Sequence, residues 1–204
     1  MLWAALAINA AMFVVEVVAG VAAGSAALQA DALDFLGDAA NYGVSLAVVG
    51  LAVSFRARAA LLKGVTMAAF GLWVIGAAFW HAAHDTMPAA ETMGVVGALA
   101  FVANVASVAL LWAYRDGDAN MRSAWICTRN DVLGNVAVML AALGVFGTGT
   151  GWPDVIVAGL MAALALQGAT AVIRQSLGEL RADRAAPAPG DEPRSVASGR
   201  PFGP

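Results

Sequence analysis

Of the 204 residues, 61% are hydrophobic and 12% are charged, about half the charged share of an ordinary soluble domain. A soluble fold of this length has too little interior to hide so much apolar surface, so lipid must cover the remainder. The formal net charge of −3 argues against a nucleic-acid surface, and a single cysteine, Cys127, excludes an intrachain disulfide.

A helix needs about 20 apolar residues to cross the hydrocarbon core. Six segments meet that requirement, at residues 2–21, 27–55, 60–82, 94–114, 122–146 and 153–177. The first is too long for the apolar region of a signal peptide, so none is expected. The expected fold class is an all-α integral membrane protein, a six-transmembrane-helix bundle built from residues 1–181. Residues 182–204, rich in Pro, Gly, Ala and Ser, are expected to form a disordered cytoplasmic tail.

Glu16 and Asn9 share a face of the first segment, where a place along an ion path competes with plain packing. The second segment carries Asp31, Asp34 and Asp38 at i, i+3 and i+7, with Asn41 continuing the stripe. Arg56, Arg58 and Lys63 follow it in the link to the third. At the far end of the third segment, His81, His84 and Asp85 spell H-x-x-H-D, a spacing that suits either an outer metal cluster or an interfacial surface group. Arg115 and Arg122 flank the link after the fourth segment, and Arg174, Arg181 and Arg184 lie towards the end of the sixth and beyond. The links after segments one, three and five carry no Lys or Arg. By the positive-inside rule both termini are expected in the cytoplasm. Trp73, Trp80, Trp112, Trp125 and Trp152 fall near expected helix ends, as interface anchors do. The GTGTGWPD run at 147–154 lacks the Lys-Ser/Thr of a phosphate loop and reads as a link.

In the fifth segment Cys127, Asp131 and Asn135 stand at i, i+4 and i+8, again on one face. An aspartate at a helix centre costs roughly 2.5–3.5 kcal/mol on insertion scales. Unpartnered, Asp34, Asp38 and Asp131 would together cost on the order of 8–10 kcal/mol, as much as an ordinary domain's whole stability. They must face one another, a watery cavity, a cation or bound protons. Two ligands from each of two helices make a four-coordinate cage of Asp34, Asp38, Cys127 and Asp131. Three oxygens and a thiolate suit Zn²⁺ or softer ions such as Cd²⁺, and not Mg²⁺ or Ca²⁺. Close carboxylates take up protons when empty, and a metal displaces them. Metal and protons then compete for one site. Asn41 and Asn135, one turn on, either orient these ligands or join helices. Asp31 is a second-shell or path carboxylate, or the partner of a basic residue. Arg129 points to another side of the fifth segment, where Glu16, Asp31 or a cytoplasm-facing cavity can receive it.

The runs GSAALQADALDFLGD at 24–38, ICTRNDVLGN at 126–135 and TGWPDVIVAGLMAALALQGATAVIRQSLGEL from 150 resemble the second, fifth and sixth helices of the cation diffusion facilitators. The resemblance implies a metal site at Asp34, Asp38, position 127 and Asp131. It also implies proton-coupled efflux of Zn²⁺, with Cd²⁺ or Co²⁺ as alternatives, and a homodimer, here through the membrane helices. The setting would be the plasma membrane, the inner membrane of a bacterium. The family usually has His or Asp where this chain has Cys127. Many members have a cytoplasmic metal-binding domain after the sixth helix, so a short form is expected here. The chain is expected to be no enzyme and to hold no cofactor besides the transported ion. The competing reading is a proton or cation channel, or a sensory membrane protein, using the same carboxylates.

Overall fold

The computed structural model describes residues 1–47, 53–114 and 119–185, and within them the side chains of all but 45, 47, 53, 114, 119–124, 126, 127 and 185. These residues form six α-helices: α1 (Leu2–Ala23), α2 (Ala26–Ala47), α3 (Val53–Ala83), α4 (Ala90–Leu111), α5 (Ala119–Thr148) and α6 (Trp152–Ala185), with a 3₁₀ turn at Trp112–Tyr114. Among the described residues there is no strand.

Five helices contain stretches long and apolar enough to cross a membrane: Leu2–Ala23, Ser54–Ala83, Ala90–Leu111, Thr128–Thr148 and Trp152–Arg184. Their large apolar side chains point outward, among them Phe79, Val95 and Phe146, as a lipid-facing surface requires. α2 is the exception in composition and in position. Its 22 residues rise about 33 Å, enough to span a hydrocarbon core. It touches all five other helices, so protein and not lipid surrounds its three aspartates. α3 packs most extensively on α6, α1 on α2, and α4 on α5.

The core is built largely from alanine. Ala26, Ala27 and Ala30 of α2 meet Ala78 of α3, Ala141 and Ala142 of α5 and Ala158 and Ala162 of α6, with Leu33, Val74, Met93 and Val138 filling between. Small residues let helix backbones approach in lipid. A Cβ at Gly64 of α3 would lie 2.9 Å from Ile173 Cγ1 of α6, and one at Gly71 would lie 3.0 Å from Leu166 Cδ2.

α1 ends at Gly24, whose left-handed conformation (φ 64°) lets its amide reach the carbonyls of Gly20 and Val21. The next residue, Ser25, accepts the amide of Leu28 at 3.1 Å and so caps α2. The α1–α2 link is therefore only two residues long.

The third and sixth helices run beyond their expected bounds. α3 already includes Val53, ahead of the expected start at 60, so residues 53–55 belong to it and not to the second segment; residues 48–52 lie outside the described residues. Arg56, Arg58 and Lys63 thus belong to a helix and not to a link. Arg, Lys, Ala and Leu are strong helix formers, and long basic side chains can reach water from a helix end. As a consequence Trp73 lies inside α3, away from its ends, and its Nε1 donates to Gln29 Oε1 of α2 at 3.0 Å. α6 continues to Ala185, past the expected start of the tail. Residues 186–204 lie outside the described residues.

Candidate metal site

α2 presents Asp31, Asp34, Asp38 and Tyr42 along one stripe, and α5 presents Thr128, Asp131 and Asn135 along another. The two stripes face each other. Asp38 sits at the lower-numbered end of the α5 stripe, where its Oδ2 accepts the Tyr42 hydroxyl at 3.0 Å and the Thr128 hydroxyl. Tyr42 and Thr128 oxygens are themselves 2.6 Å apart. Asp131 lies within electrostatic range of Asp34, Asp38 and Asp31. At the other end, Asn135 Nδ2 donates to Asp31 Oδ2 at 2.7 Å.

Gly134 sets the separation of the two helices. A Cβ there would meet Asp34 Oδ2 at 3.5 Å, Asp31 Oδ1 at 3.7 Å and Met161 Cε of α6 at 3.3 Å. The carboxyls of α2 therefore lie directly against the backbone of α5. Asp34 and Asp131 are half-buried, whereas Asp38 is buried. Among the described residues, no three His, Cys, Asp or Glu side chains are close enough to enclose a metal ion by themselves. The fourth expected ligand, Cys127, lies on α5 one turn before Asp131, and its side chain is outside the described residues.

The remaining expected residues separate into different roles. Asn135 joins three helices, since its Oδ1 also accepts from Asn104 Nδ2 of α4 at 2.9 Å. Asn41 accepts from Lys63 Nζ of α3, so it makes a helix–helix contact. Asp31 faces Glu16 of α1 and not a basic residue. Arg129 meets neither Glu16 nor Asp31. It is exposed, with its guanidinium 5.2 Å from the Trp125 ring centroid. Exposure supplies the solvation that a buried arginine would have needed from a carboxylate.

The H-x-x-H-D run does not come together as a ligand cluster. His81 Nδ1 engages the Thr86 hydroxyl. His84 stacks on Trp80, with ring centroids 3.8 Å apart, and its Nδ1 lies 2.9 Å from the Trp80 carbonyl oxygen. Asp85 occupies a left-handed turn, φ 47°.

Sequence reading missed Tyr42, Thr128, Gly134 and Asp154. Tyr42 is four residues past Asp38, and Thr128 is three before Asp131, so extending each helical stripe by one turn would have found both. Gly134 carried no signal, because its role is the lack of a side chain at an interhelix contact. Asp154 lies in the first turn of α6. It accepts from Ser25 Oγ at 2.6 Å and from the amides of Ala26 at 2.8 Å and Ala27 at 3.1 Å. An acid at a helix N-terminus is ordinary; that this one caps a different helix is visible only in three dimensions.

Comparison with known proteins gives one consistent result. Residues 2–181 match the family model of the cation efflux transmembrane domain. The zinc transporter ZitB of Pectobacterium atrosepticum is 32% identical over 194 residues, covering 88% of this chain and 60% of the relative. The metal cation efflux system protein CzcD of Cupriavidus metallidurans is 25% identical, covering 86% and 60%. The cadmium, cobalt and zinc/H(+)-K(+) antiporter of Bacillus subtilis is 25% identical, covering 80% and 57%. The chain thus spans about 60% of the length of the curated relatives it matches.

Proposed function

Because this multi-pass integral membrane chain belongs to the cation efflux (cation diffusion facilitator) family, we propose that it carries divalent metal cations, Zn²⁺ foremost and Cd²⁺ or Co²⁺ as alternatives, out of the cytoplasm in exchange for protons. The relatives' names, which give zinc for ZitB and cadmium, cobalt and zinc for the antiporter, support that range. The observation that carries the reading is the pair of facing stripes that brings Asp34 and Asp38 on α2 within electrostatic range of Asp131 on α5, beside a core built largely from alanine. Three carboxylates in such a place repel one another, and a divalent cation relieves the repulsion.

Asp34, Asp38 and Asp131 are the oxygen ligands, and Cys127 is the fourth. Tyr42 and Thr128 hold Asp38 in one orientation, so the carboxylate's free oxygen is presented to the ion without a search through rotamers. When no metal is bound, protons occupy the same oxygens, and metal entry releases them. The termini lie in the cytoplasm, the membrane is the bacterial inner membrane, and two copies pair through their membrane helices.

The test uses vesicles containing the purified chain, a zinc-sensitive dye and a pH dye. Zinc uptake with opposed proton flow is expected, and Asp38→Ala should abolish it. Zinc movement without proton flow would favour a channel. No zinc movement from a folded protein would end the transport reading.

A further inference from the structure

A second group of buried oxygens lies beyond the Asp34/Asp38/Asp131 site and plays no part in the metal site as described. Glu16 of α1 and Asp31 of α2 are both fully buried and approach closely enough to share a hydrogen bond. Yet, among the described residues, no donor bonds either Glu16 oxygen or Asp31 Oδ1. The other oxygen of Asp31 is satisfied by Asn135. Asn135 is in turn fixed by Asn104 of α4, whose own Oδ1 is buried and unpartnered. The charged groups facing Glu16 are Asp31 and, beyond it, Asp34, so each ionised neighbour adds repulsion and none relieves it.

Two carboxyl groups in contact are two acceptors, and acceptors cannot bond each other without a cation between them. Unpaired buried oxygens are rare in folded proteins because their desolvation is uncompensated. The donor set is entirely oxygen, which suits a proton or a hard monovalent ion and not a thiophilic metal. Asp31 and Asp34 lie one turn apart on α2, and a Cβ on Gly134 would touch both. Charge arriving at the metal site is therefore felt at the pair, and the reverse.

We propose that Glu16 and Asp31 form a counter-cation site, occupied by one proton or one alkali cation, separate from the metal ligands but electrostatically coupled to them. This rests on the transport reading above. The pair loads when the metal site is empty. A divalent ion bound at Asp34, Asp38 and Asp131 adds positive charge nearby and drives the smaller cation out, so that the two move in opposite senses.

The experiment compares two activities of the full chain in vesicles: zinc accumulation driven by an imposed pH gradient or an imposed potassium gradient, and exchange of external radioactive zinc for internal zinc with no gradient. In Glu16→Gln one fewer counter-cation is coupled to each zinc, so accumulation should fall by about tenfold across a tenfold gradient of that ion, while zinc exchange stays near that of the unsubstituted chain. Which gradient loses part of its effect in Glu16→Gln identifies the ion as a proton or an alkali cation. If neither gradient drives the unsubstituted chain, the proposal is overturned. Undiminished accumulation in Glu16→Gln under both gradients also overturns it. So does loss of exchange in a folded Glu16→Gln protein, because Glu16 would then serve the metal itself. Should Glu16→Gln fail to fold, Asp31→Asn carries the same comparison. Absence of zinc exchange in the unsubstituted chain is a different result: it removes the transport reading, and the counter-cation role goes with it.

Discussion

Asp154 Oδ2 accepts the backbone amide of Ala26 at 2.8 Å, so the first turn of α2 hangs from the first turn of α6. Ser25 and Ala27 bond the other oxygen of the same carboxylate. Asp154→Ala leaves two amides and a hydroxyl buried without their acceptor, at a cost of about 1–3 kcal/mol for each group left unpaired. Thermal unfolding in detergent should show a clearly lower midpoint for Asp154→Ala, with Asp154→Asn in between because it keeps an acceptor. An unchanged midpoint in Asp154→Ala would mean that these bonds do not anchor α2.

Tyr42 and Thr128 both donate to one oxygen of Asp38. Groups that orient a ligand typically contribute 10–100-fold to metal affinity, in rough terms. Tyr42→Phe and Thr128→Val should each weaken zinc binding by about tenfold or more, with helix content and thermal stability little changed. Calorimetric titration with Zn²⁺ checks this, and wild-type affinity in both variants would detach Asp38 from the metal.

Gly134 leaves room for a methyl group and little else, with Met161 Cε 3.3 Å and Asp34 Oδ2 3.5 Å from its would-be Cβ. Met161 is flexible and can yield, so Gly134→Ala should transport zinc almost normally. Gly134→Leu should push α2 and α5 apart, cost about 1–3 kcal/mol in overpacking and abolish zinc uptake. Active Gly134→Leu vesicles would show that the two acidic faces need not stay in contact.

Cys127 stands one turn before Asp131 on α5. As a ligand it brings a soft thiolate, so Cys127→His should shift the ratio of Cd²⁺ to Zn²⁺ binding towards zinc by about tenfold. Competition between the two metals on the purified chain measures the ratio directly. An unchanged ratio would remove Cys127 from the site.

The aspartate stripes of α2 and α5 were legible because helical periodicity is local: residues three, four and seven apart share a face wherever the helix is placed. The cost of charge in lipid then made those faces functional candidates. For Arg129 the same logic left Glu16, Asp31 and a cytoplasm-facing cavity open, and the side chain lies exposed beside Trp125. For Asn41 it left ligand orientation and a helix–helix contact open, and the fold brings it to Lys63 on α3. For the H-x-x-H-D run it left an outer metal cluster and an interfacial surface group open, and His81 and His84 take separate local partners. The partner that decides Asn41 is remote in sequence, whereas those of Arg129, His81 and His84 lie within five residues and depend on rotamers that residue spacing does not fix.

Hydropathy and charge along the chain were enough to determine an α-helical membrane protein and to mark acidic residues that lipid alone would not tolerate. Only the folded arrangement decided that α2 is sheathed by all five other helices, that Asp154 caps it from α6, and that Glu16 and Asp31 meet away from water. The physical reason is that burial cost is a property of each residue, whereas its relief comes from neighbours that side-by-side packing of distant segments brings together.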